Sequence, residues 1–441
     1  MTDHIPAAAD GRIRQRERDA IVQSLRAGVV PMVGLRHVQV GRVAELRAML
    51  ADLARIADGG ASCRFVIGEY GSGKTFFLHL VRSIALEKRM VTVHADLSPD
   101  RRLHGASGQS RGLYAELMHN MSTRTKPDGG ALVSVVERFV TQALTEAGAE
   151  GTQPAAVIRS RLASLAEMTG GYDFAEVIGR YWQGYDSGNE QLRTDAIRWL
   201  RGEFTTRADA RTALGVRTIV DDATFYDHLK LMSRFVCMAG FDGMLVCLDE
   251  MVNIYKLVSA HARNTNYEQL LRMLNDSLQG GAAHLGLLFG GTPDFLLDTR
   301  RGLYSYPALA SRLAGNTFVA NGLLDHSGPV LRLGNLAPED IYVLLTKLRN
   351  VYAAGDPGAY LVGDDALTAY MEHCAARLGD AYFRTPRETI KGFLDLLALL
   401  DQNADLDWRN VIGTVDIAQQ KHAPETGAAS HDDDELASFR L

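Results

Sequence analysis

The chain has 441 residues, of which 46% are hydrophobic and 23% charged, a composition typical of a globular protein with about two or three domains. Its formal net charge of −6 argues against general binding to polyanions but leaves room for a local basic groove. The four cysteines lie far apart in apolar segments, which indicates reduced core residues rather than disulfides or a metal site; they are Cys63, Cys237, Cys247 and Cys374.

The sequence contains no run of about 18 apolar residues that could cross a bilayer. Its first residues, Met-Thr-Asp-His-Ile-Pro, lack the basic-then-apolar order of a signal peptide. We therefore expect a cytoplasmic protein without membrane contact.

The N-terminal region is predicted to begin with a disordered tail, residues 1–11, followed by an arginine-rich helix. Its arginines, at positions 12, 14, 16 and 18, are typical of a solvated helix face, and contact with nucleic acid is the alternative. A short box, Val40-Gly41-Arg42, then precedes a second predicted helix whose apolar side chains share one face.

An eight-residue segment fits the phosphate-binding P-loop pattern GxxxxGK(S/T). The strand-like run 63–67 lies before it, and Phe76 opens an apolar segment after it that is able to start a helix. This context would place a triphosphate against backbone N–H groups and the positive end of a helix. The segment consists of Gly68, Glu69, Tyr70, Gly71, Ser72, Gly73, Lys74 and Thr75.

Two residues of the P-loop have specific predicted roles in binding ATP. Lys74 would reach the β- and γ-phosphates, and the Thr75 hydroxyl would ligate Mg²⁺. A glycine turn that matches the pattern by chance is the alternative, and the strand before and helix after the loop disfavour it.

An apolar strand predicted at 244–248 ends in two acidic residues that suit a Walker B motif. Asp249 would hold Mg²⁺ through its water shell, and Glu250 could orient or polarise the attacking water. Acidic residues also follow apolar strands by chance, but the upstream P-loop makes this pair its expected partner.

Five apolar runs, at 63–67, 90–95, 244–248, 285–289 and 330–333, predict an α/β fold with a five-stranded parallel sheet and flanking helices. We expect residues 12–99 and 221–335 to form the nucleotide-binding core. Residues 100–220 are predicted to be a long helical insertion for partner or DNA engagement, since no nucleotide motif falls inside it. Residues 336–421 are predicted to form a C-terminal helical lid, and residues 422–441 an acidic disordered tail.

Three further residues are candidates for catalysis. Thr292 ends the fourth predicted strand, where it could sense the γ-phosphate, and a Gly-Gly-Thr-Pro turn is the alternative. Arg387 lies in the first turn of a helix, where a cation opposes the macrodipole unless an anion such as phosphate is near; a merely solvated arginine is the alternative. Arg312 could reach the nucleotide of a neighbouring subunit as an arginine finger, with Arg300 and Arg301 as competing candidates.

The order of these motifs resembles that of AAA+ ATPases, and within them the origin-recognition/Cdc6-like branch. More narrowly, the phrases FVIGEYGSGKTFFLHLV, LVCLDEMVNIYKL, RGLYSYPALASRL and RTPRETIKGFL are similar to the BrxC/BrxD-like ATP-binding P-loop family of bacterial BREX anti-phage systems. In the last phrase Thr385 and Glu388 have capping-box spacing around Pro386. The resemblance covers most of the chain, from residue 12 to about residue 400.

This resemblance implies ATP binding and hydrolysis with Mg²⁺, nucleotide contacts from Gly41 and Arg42, and a sensor-2 role for Arg387 in the lid. It also implies a role in restricting phage DNA beside other defence proteins, such as a helicase, a methyltransferase or a phosphatase. We further expect a homo-oligomer, in which Arg312 completes a neighbour's site, that acts on or near DNA. The sequence thus predicts an ATP-hydrolysing motor or switch. A nucleotide-gated interaction module with little turnover, which recruits a defence partner, is the alternative.

Replacing Lys74 with alanine should abolish tight ATP binding without unfolding the protein, because the change removes a charge-assisted contact from a loop rather than from the core. Titration with a fluorescent ATP analogue and thermal unfolding measure the two effects separately. Unchanged nucleotide affinity would refute the P-loop assignment.

Overall fold

The computed structural model describes residues 12–316, 325–378 and 386–412. Its centre is a five-stranded sheet, with order β2-β3-β4-β1-β5, in which all neighbouring strands pair in parallel. The predicted α/β fold is therefore confirmed, and every predicted strand lies within two residues of its observed bounds. The strands are β1 (Ala61–Ile67), β2 (Val91–Asp96), β3 (Met244–Asp249), β4 (Leu285–Gly291) and β5 (Val330–Arg332).

The helices before β3 are α1 (Gln15–Arg26), α2 (Val43–Ala57), α3 (Lys74–Glu87), α4 (Gln109–His119), α5 (Leu132–Glu150), α6 (Pro154–Ala166), α7 (Gly171–Ser187), α8 (Glu190–Leu200), α9 (Arg207–Leu214) and α10 (Phe225–Met238). After it come α11 (Val252–Tyr255), α12 (Ala260–Gln279), α13 (Pro293–Leu297), α14 (Pro307–Leu313), α15 (Pro338–Tyr352), α16 (Asp364–Leu378), α17 (Pro386–Gln402) and α18 (Trp408–Ile412). Short 3₁₀ turns lie at Leu35–His37, Leu303–Ser305 and Pro357–Ala359.

Both faces of the sheet are covered, which explains why its strands are apolar runs rather than alternating patterns. Every residue of β1, β3 and β4 is buried. One face, which includes Val66 and Leu288, packs on α2 and α3. The other face, which includes Phe65, Val246 and Leu287, packs against a much larger apolar cluster that contains the insertion helices.

The insertion is continuous with the nucleotide-binding core. The Phe139 ring of α5 lies 5.1 Å from Phe235 of α10, and the Phe174 ring of α7 lies 5.5 Å from the same residue. At the edge of the sheet, Ser122 pairs with Thr92 of β2 through two backbone hydrogen bonds of 2.7 and 3.0 Å. Residues 100–220 therefore cannot be separated by packing from the sheet that carries the P-loop.

The lid helices α15 to α18 form a separate apolar cluster that also includes α1. The side chain of Ile21 is fully buried there, and the Arg26 guanidinium lies 2.8 Å from the Asp395 carboxylate of α17. The N-terminal helix thus lies within residues 12–99 by sequence but packs on the lid. Residues 1–11, 379–385 and 413–441 lie outside the described residues, and with them both predicted tails and the Thr385 cap.

The four cysteines are free thiols, and Cys63, Cys247 and Cys374 are buried while Cys237 is partly buried. Over residues 12–316, 325–378 and 386–412, no helix combines the length and apolar character needed to cross a membrane.

Replacing Phe174 with alanine should lower the free energy of unfolding by about 3–5 kcal/mol, because it opens a cavity beside Phe235 in the shared core. Release of a bound fluorescent nucleotide and loss of the helical circular-dichroism signal should both shift to lower urea concentration. Tyr172→Ala is a matched control on the same helix, since Tyr172 is 71% exposed and its loss should change stability by less than about 0.5 kcal/mol. An unchanged midpoint for nucleotide release in Phe174→Ala would instead mean that the insertion unfolds as a unit of its own.

Candidate functional site

A cleft of about 300 Å³ lies between the P-loop, the segment 25–42 and the lid. It opens at the carboxyl ends of the strands, which is where ligands bind in open α/β sheets. Its volume is within the range of small-molecule sites. The P-loop residues from Tyr70 onwards, Glu250 and Arg387 all line it.

The P-loop connects β1 to α3 through two glycines in the left-handed region. Gly71 has φ of 77° and Gly73 has φ of 87°, conformations that a side chain disfavours. A Cβ at Gly68 would lie 2.5 Å from the Ser72 Oγ, so this glycine is needed for close approach within the loop. The loop thus ends at the N-terminus of the 14-residue helix α3, where the backbone favours an anion.

Lys74 lies folded over its own loop. Its Nζ donates hydrogen bonds of 2.9 Å to the carbonyls of Gly68 and Glu69, and it lies 5.3 Å from the centroid of the Tyr70 ring. Burial lowers the pKa of Lys74, and the nearby carboxylate of Asp249 opposes that shift. Phosphate oxygens would be stronger partners than these carbonyls, because they carry negative charge and would form ion pairs with the Lys74 ammonium.

Thr75 and Asp249 are in direct contact across the edge of the sheet. The Thr75 hydroxyl donates to the Asp249 Oδ2 at 2.8 Å, and the other carboxylate oxygen accepts the backbone N–H of Glu250 at 2.8 Å. Only 7% of Asp249 is exposed. The two predicted Mg²⁺ ligands therefore lie together at the mouth of the P-loop.

This oxygen pair fits Mg²⁺, which typically takes one or two protein carboxylates together with phosphates and water. Throughout the part of the chain that the structure describes, no group of three or more histidine, cysteine, aspartate and glutamate side chains could hold a metal.

Glu250 follows Asp249 in a left-handed conformation, with φ of 57°, and lines the cleft. Burial raises the pKa of Glu250, and the neighbouring carboxylates of Asp249 and Asp96 raise it further. A carboxylate with a raised pKa is a better proton acceptor near neutral pH.

The Val40-Gly41-Arg42 box joins the P-loop to the lid. Arg42 donates to the Ser72 carbonyl at 3.0 Å and to the Gly334 carbonyl, which precedes α15, at 2.6 Å. A Cβ at Gly41 would lie 3.0 Å from the Asp340 Oδ2 of α15. Arg42 also lines the cleft. The box therefore connects the P-loop to the segment before α15 and lies beside the place where the nucleotide is predicted to bind.

Arg387, in the first turn of α17, is exposed and lines the same cleft as Lys74 and Glu250. Its guanidinium lies against the backbone of Gly28, because a Cβ at Gly28 would be 2.6 Å from the Arg387 Nε. The structure therefore brings this lid arginine to the P-loop side of the molecule.

Thr292 does not line the cleft. It is buried, and its hydroxyl accepts the Phe295 N–H at 3.4 Å as the N-cap of α13. Its side chain therefore makes a local turn contact. The role of Thr292 as a phosphate sensor stays a prediction.

The three arginines considered as fingers lie outside the cleft of their own chain. Arg312 is exposed, and its guanidinium donates to the Asn275 Oδ1 at 2.7 Å and to the Ala308 carbonyl at 3.0 Å. Arg301 donates to the carbonyl of Tyr255, at the end of α11, at 3.3 Å and to the carbonyl of Leu257 at 3.1 Å, whereas Arg300 is exposed. Arg312 and Arg300 are thus more accessible than Arg301 to a neighbouring molecule.

Two features of the site were missed by sequence reasoning. Asp96 ends β2 in register with Asp249, and the same signal that identified Asp249, an acid after an apolar strand, was present there. The apolar wall of the cleft comes from segments far apart in sequence and, apart from Val40 of the box, carries no motif; it includes Val29, Val30, Val38, Leu336, Leu344 and Ile390.

The sequence profile of a protein family described as BREX system ATP-binding protein BrxC/D matches residues 13–416. No curated protein matches the chain with significant similarity. The matched range includes the P-loop, Asp249, Glu250 and Arg387.

Proposed function

The chain belongs to the family of BREX system ATP-binding proteins BrxC/D, an ATP-binding family of phage defence, and from this premise we propose that it is an AAA+ ATPase that hydrolyses ATP as a motor or switch. The observation that carries the proposal is that Lys74, Thr75 and Glu250 line one cleft while Asp249 accepts the Thr75 hydroxyl at 2.8 Å. Binding alone would not require an acidic residue with a raised pKa beside the phosphate loop.

Each of these side chains has a distinct part in the proposed hydrolysis. Lys74 would bind the β- and γ-phosphates, and Thr75 and Asp249 would hold Mg²⁺, which supplies positive charge to the phosphates when bound. Glu250 would orient the attacking water and accept its proton. Arg387 would contact the γ-phosphate from the lid and couple lid position to the nucleotide state.

We further propose that the active form is a homo-oligomer in which Arg312 acts on the nucleotide of a neighbour. The exposure of Arg312 and its distance from the lining of its own cleft support a role in trans. Arg300 is the second candidate, because Arg301 is already bonded to carbonyls within its own chain.

The surface of residues 100–220 is proposed to contact DNA or another defence protein in the cytoplasm, such as a helicase, a methyltransferase or a phosphatase. None of these residues lines the cleft, which supports a division between ATP chemistry and partner engagement. Because the same segment completes the core, surface substitutions rather than deletion are the appropriate test.

Glu250→Gln should retain ATP binding and reduce steady-state hydrolysis by about 10²- to 10⁴-fold, because glutamine keeps the shape but cannot accept the proton. Phosphate release and analogue titration measure the two effects. Glu87→Gln, at the exposed end of α3, controls for the change of charge. Hydrolysis at the parent rate in Glu250→Gln would remove this residue from the mechanism, and negligible turnover of the parent protein with or without duplex DNA would favour the nucleotide-gated interaction module.

Mixing Arg312→Ala protein with Lys74→Ala protein should partly restore ATPase activity, since some interfaces then pair an intact P-loop with an intact Arg312. An arginine facing transition-state charge is typically worth about 10³- to 10⁵-fold in turnover. Mixing Arg387→Ala with Lys74→Ala should restore nothing, because both side chains act on the nucleotide of their own chain. An inactive Arg312 mixture, with co-assembly demonstrated by light scattering, would exclude the role in trans and make Arg300 the next residue to test.

A further inference from the structure

We propose that Gly290, near the end of β4, is a positioning residue that sets the place of the Asp249 carboxylate and thereby the Mg²⁺ affinity of the nucleotide site. The inference rests on the proposed function, because it concerns how the same site holds its metal. It assigns a role in that site to a glycine that the sequence indicated only as part of a turn.

The Asp249 carboxylate occupies the space that a side chain at position 290 would need. A Cβ built on Gly290 would lie 2.2 Å from the Asp249 Oδ1, 3.0 Å from its Cγ and 2.9 Å from the Leu78 Cδ1 of α3. Carbon atoms make favourable van der Waals contact only at roughly 3.5 Å or more. A single methyl group would therefore displace either the carboxylate or its neighbours.

The carboxylate has little freedom to move aside. One of its oxygens accepts the Glu250 N–H and the other accepts the Thr75 hydroxyl, each at 2.8 Å, and the residue is buried. Movement away from Gly290 would disturb at least one of these contacts. The Thr75 contact is the one that would be replaced by shared coordination of Mg²⁺.

Gly290 also holds the backbone after Asp249. Its carbonyl accepts the Met251 N–H at 3.0 Å. Glu250, which lies between Asp249 and Met251 in the chain, adopts the left-handed φ of 57°. Gly290 thus leaves space for the Asp249 carboxylate and also fixes the backbone directly after Glu250.

The effect of a substitution here would be steric rather than conformational. Gly290 is not one of the residues with positive φ, so alanine can adopt its backbone conformation. Gly286 offers a matched control four residues earlier on the same face of β4. A Cβ there would approach the ends of two flexible apolar side chains, at 2.6 Å from the Ile56 Cδ1 and 2.8 Å from the Leu245 Cδ1, rather than a carboxylate.

The test compares Gly290→Ala with Gly286→Ala in the full chain. Affinity for a fluorescent ATP analogue is measured in EDTA, and then the Mg²⁺ dependence of binding is titrated, with Mn²⁺ electron paramagnetic resonance as a direct probe of the bound ion. Gly290→Ala should keep the metal-free affinity and raise the metal concentration for half-saturation by about 10- to 100-fold, as for residues that orient metal ligands. Gly286→Ala should leave both unchanged.

If Gly290→Ala is unstable, the same substitution is compared in the parent and in the Asp249→Ala protein as a double-mutant cycle. In the Asp249→Ala background only the contact with the end of the Leu78 side chain remains, so Gly290→Ala should lower the unfolding temperature much less than in the parent and should not change the metal dependence further. Equal destabilisation in both backgrounds would show that the clash does not involve Asp249 and would overturn the proposal. Parent metal dependence in a folded Gly290→Ala protein, or equal loss of metal-free affinity in both single variants, would overturn it too.

Failure of this inference is distinguishable from failure of the proposed function. If the parent protein shows no metal-dependent ATP binding, or Lys74→Ala binds ATP normally, the nucleotide site itself is wrong. If Asp249→Ala loses the metal dependence and Gly290→Ala does not, only the role of Gly290 falls.

Discussion

The hydrogen bond between Thr75 and Asp249 is the contact around which the cleft is organised. It joins the first turn of α3 to the end of β3, and the strand order places β4 between β3 and the P-loop strand β1. The intervening strand carries no side chain beside this contact, because a Cβ at Gly290 would lie 2.2 Å from the Asp249 Oδ1. The dependence of the 2.8 Å contact on Gly290 is what we propose above.

The lid and the N-terminal helix form the other side of the cleft as one packed body. Ile21 of α1 is buried among lid residues, and Arg18 donates to the Tyr352 carbonyl at 3.0 Å. The segment that leaves α1 then passes along the cleft before Arg42 bonds to the P-loop. A nucleotide in the cleft would thus contact the core, the lid and their connection at the same time, which is the geometry that lets a bound ligand bias domain closure.

The insertion gives this protein a much larger core than the sheet alone would need. Its helices, α10 and one face of the sheet form a single apolar cluster, with Phe235 in contact with rings from two insertion helices. A segment that is long in sequence can therefore be indispensable to folding even when no residue of it lines the cleft. The outer surface of the insertion lies outside the cleft, so it could bind a partner without contacting the nucleotide.

The sequence alone determined the elements whose signals are local. Apolar runs located all five strands, because strands buried on both faces have no polar positions, and the GxxxxGKT pattern located the loop through its glycines. It also selected Lys74, Thr75, Glu250 and Arg387, which line one cleft, and Asp249, which is hydrogen-bonded to Thr75.

Only the tertiary structure decided what depends on contacts between distant segments. No local pattern shows that α1 packs on the lid or that Arg42 bonds to Gly334, since these contacts join residues about 290 or more positions apart. Gly290 belongs in sequence to a possible Gly-Gly-Thr-Pro turn, and only the structure shows that a Cβ there would lie 2.2 Å from a carboxylate oxygen of Asp249 on another strand. Clearances of this kind are set by register and packing, which periodicity and motif spacing do not encode.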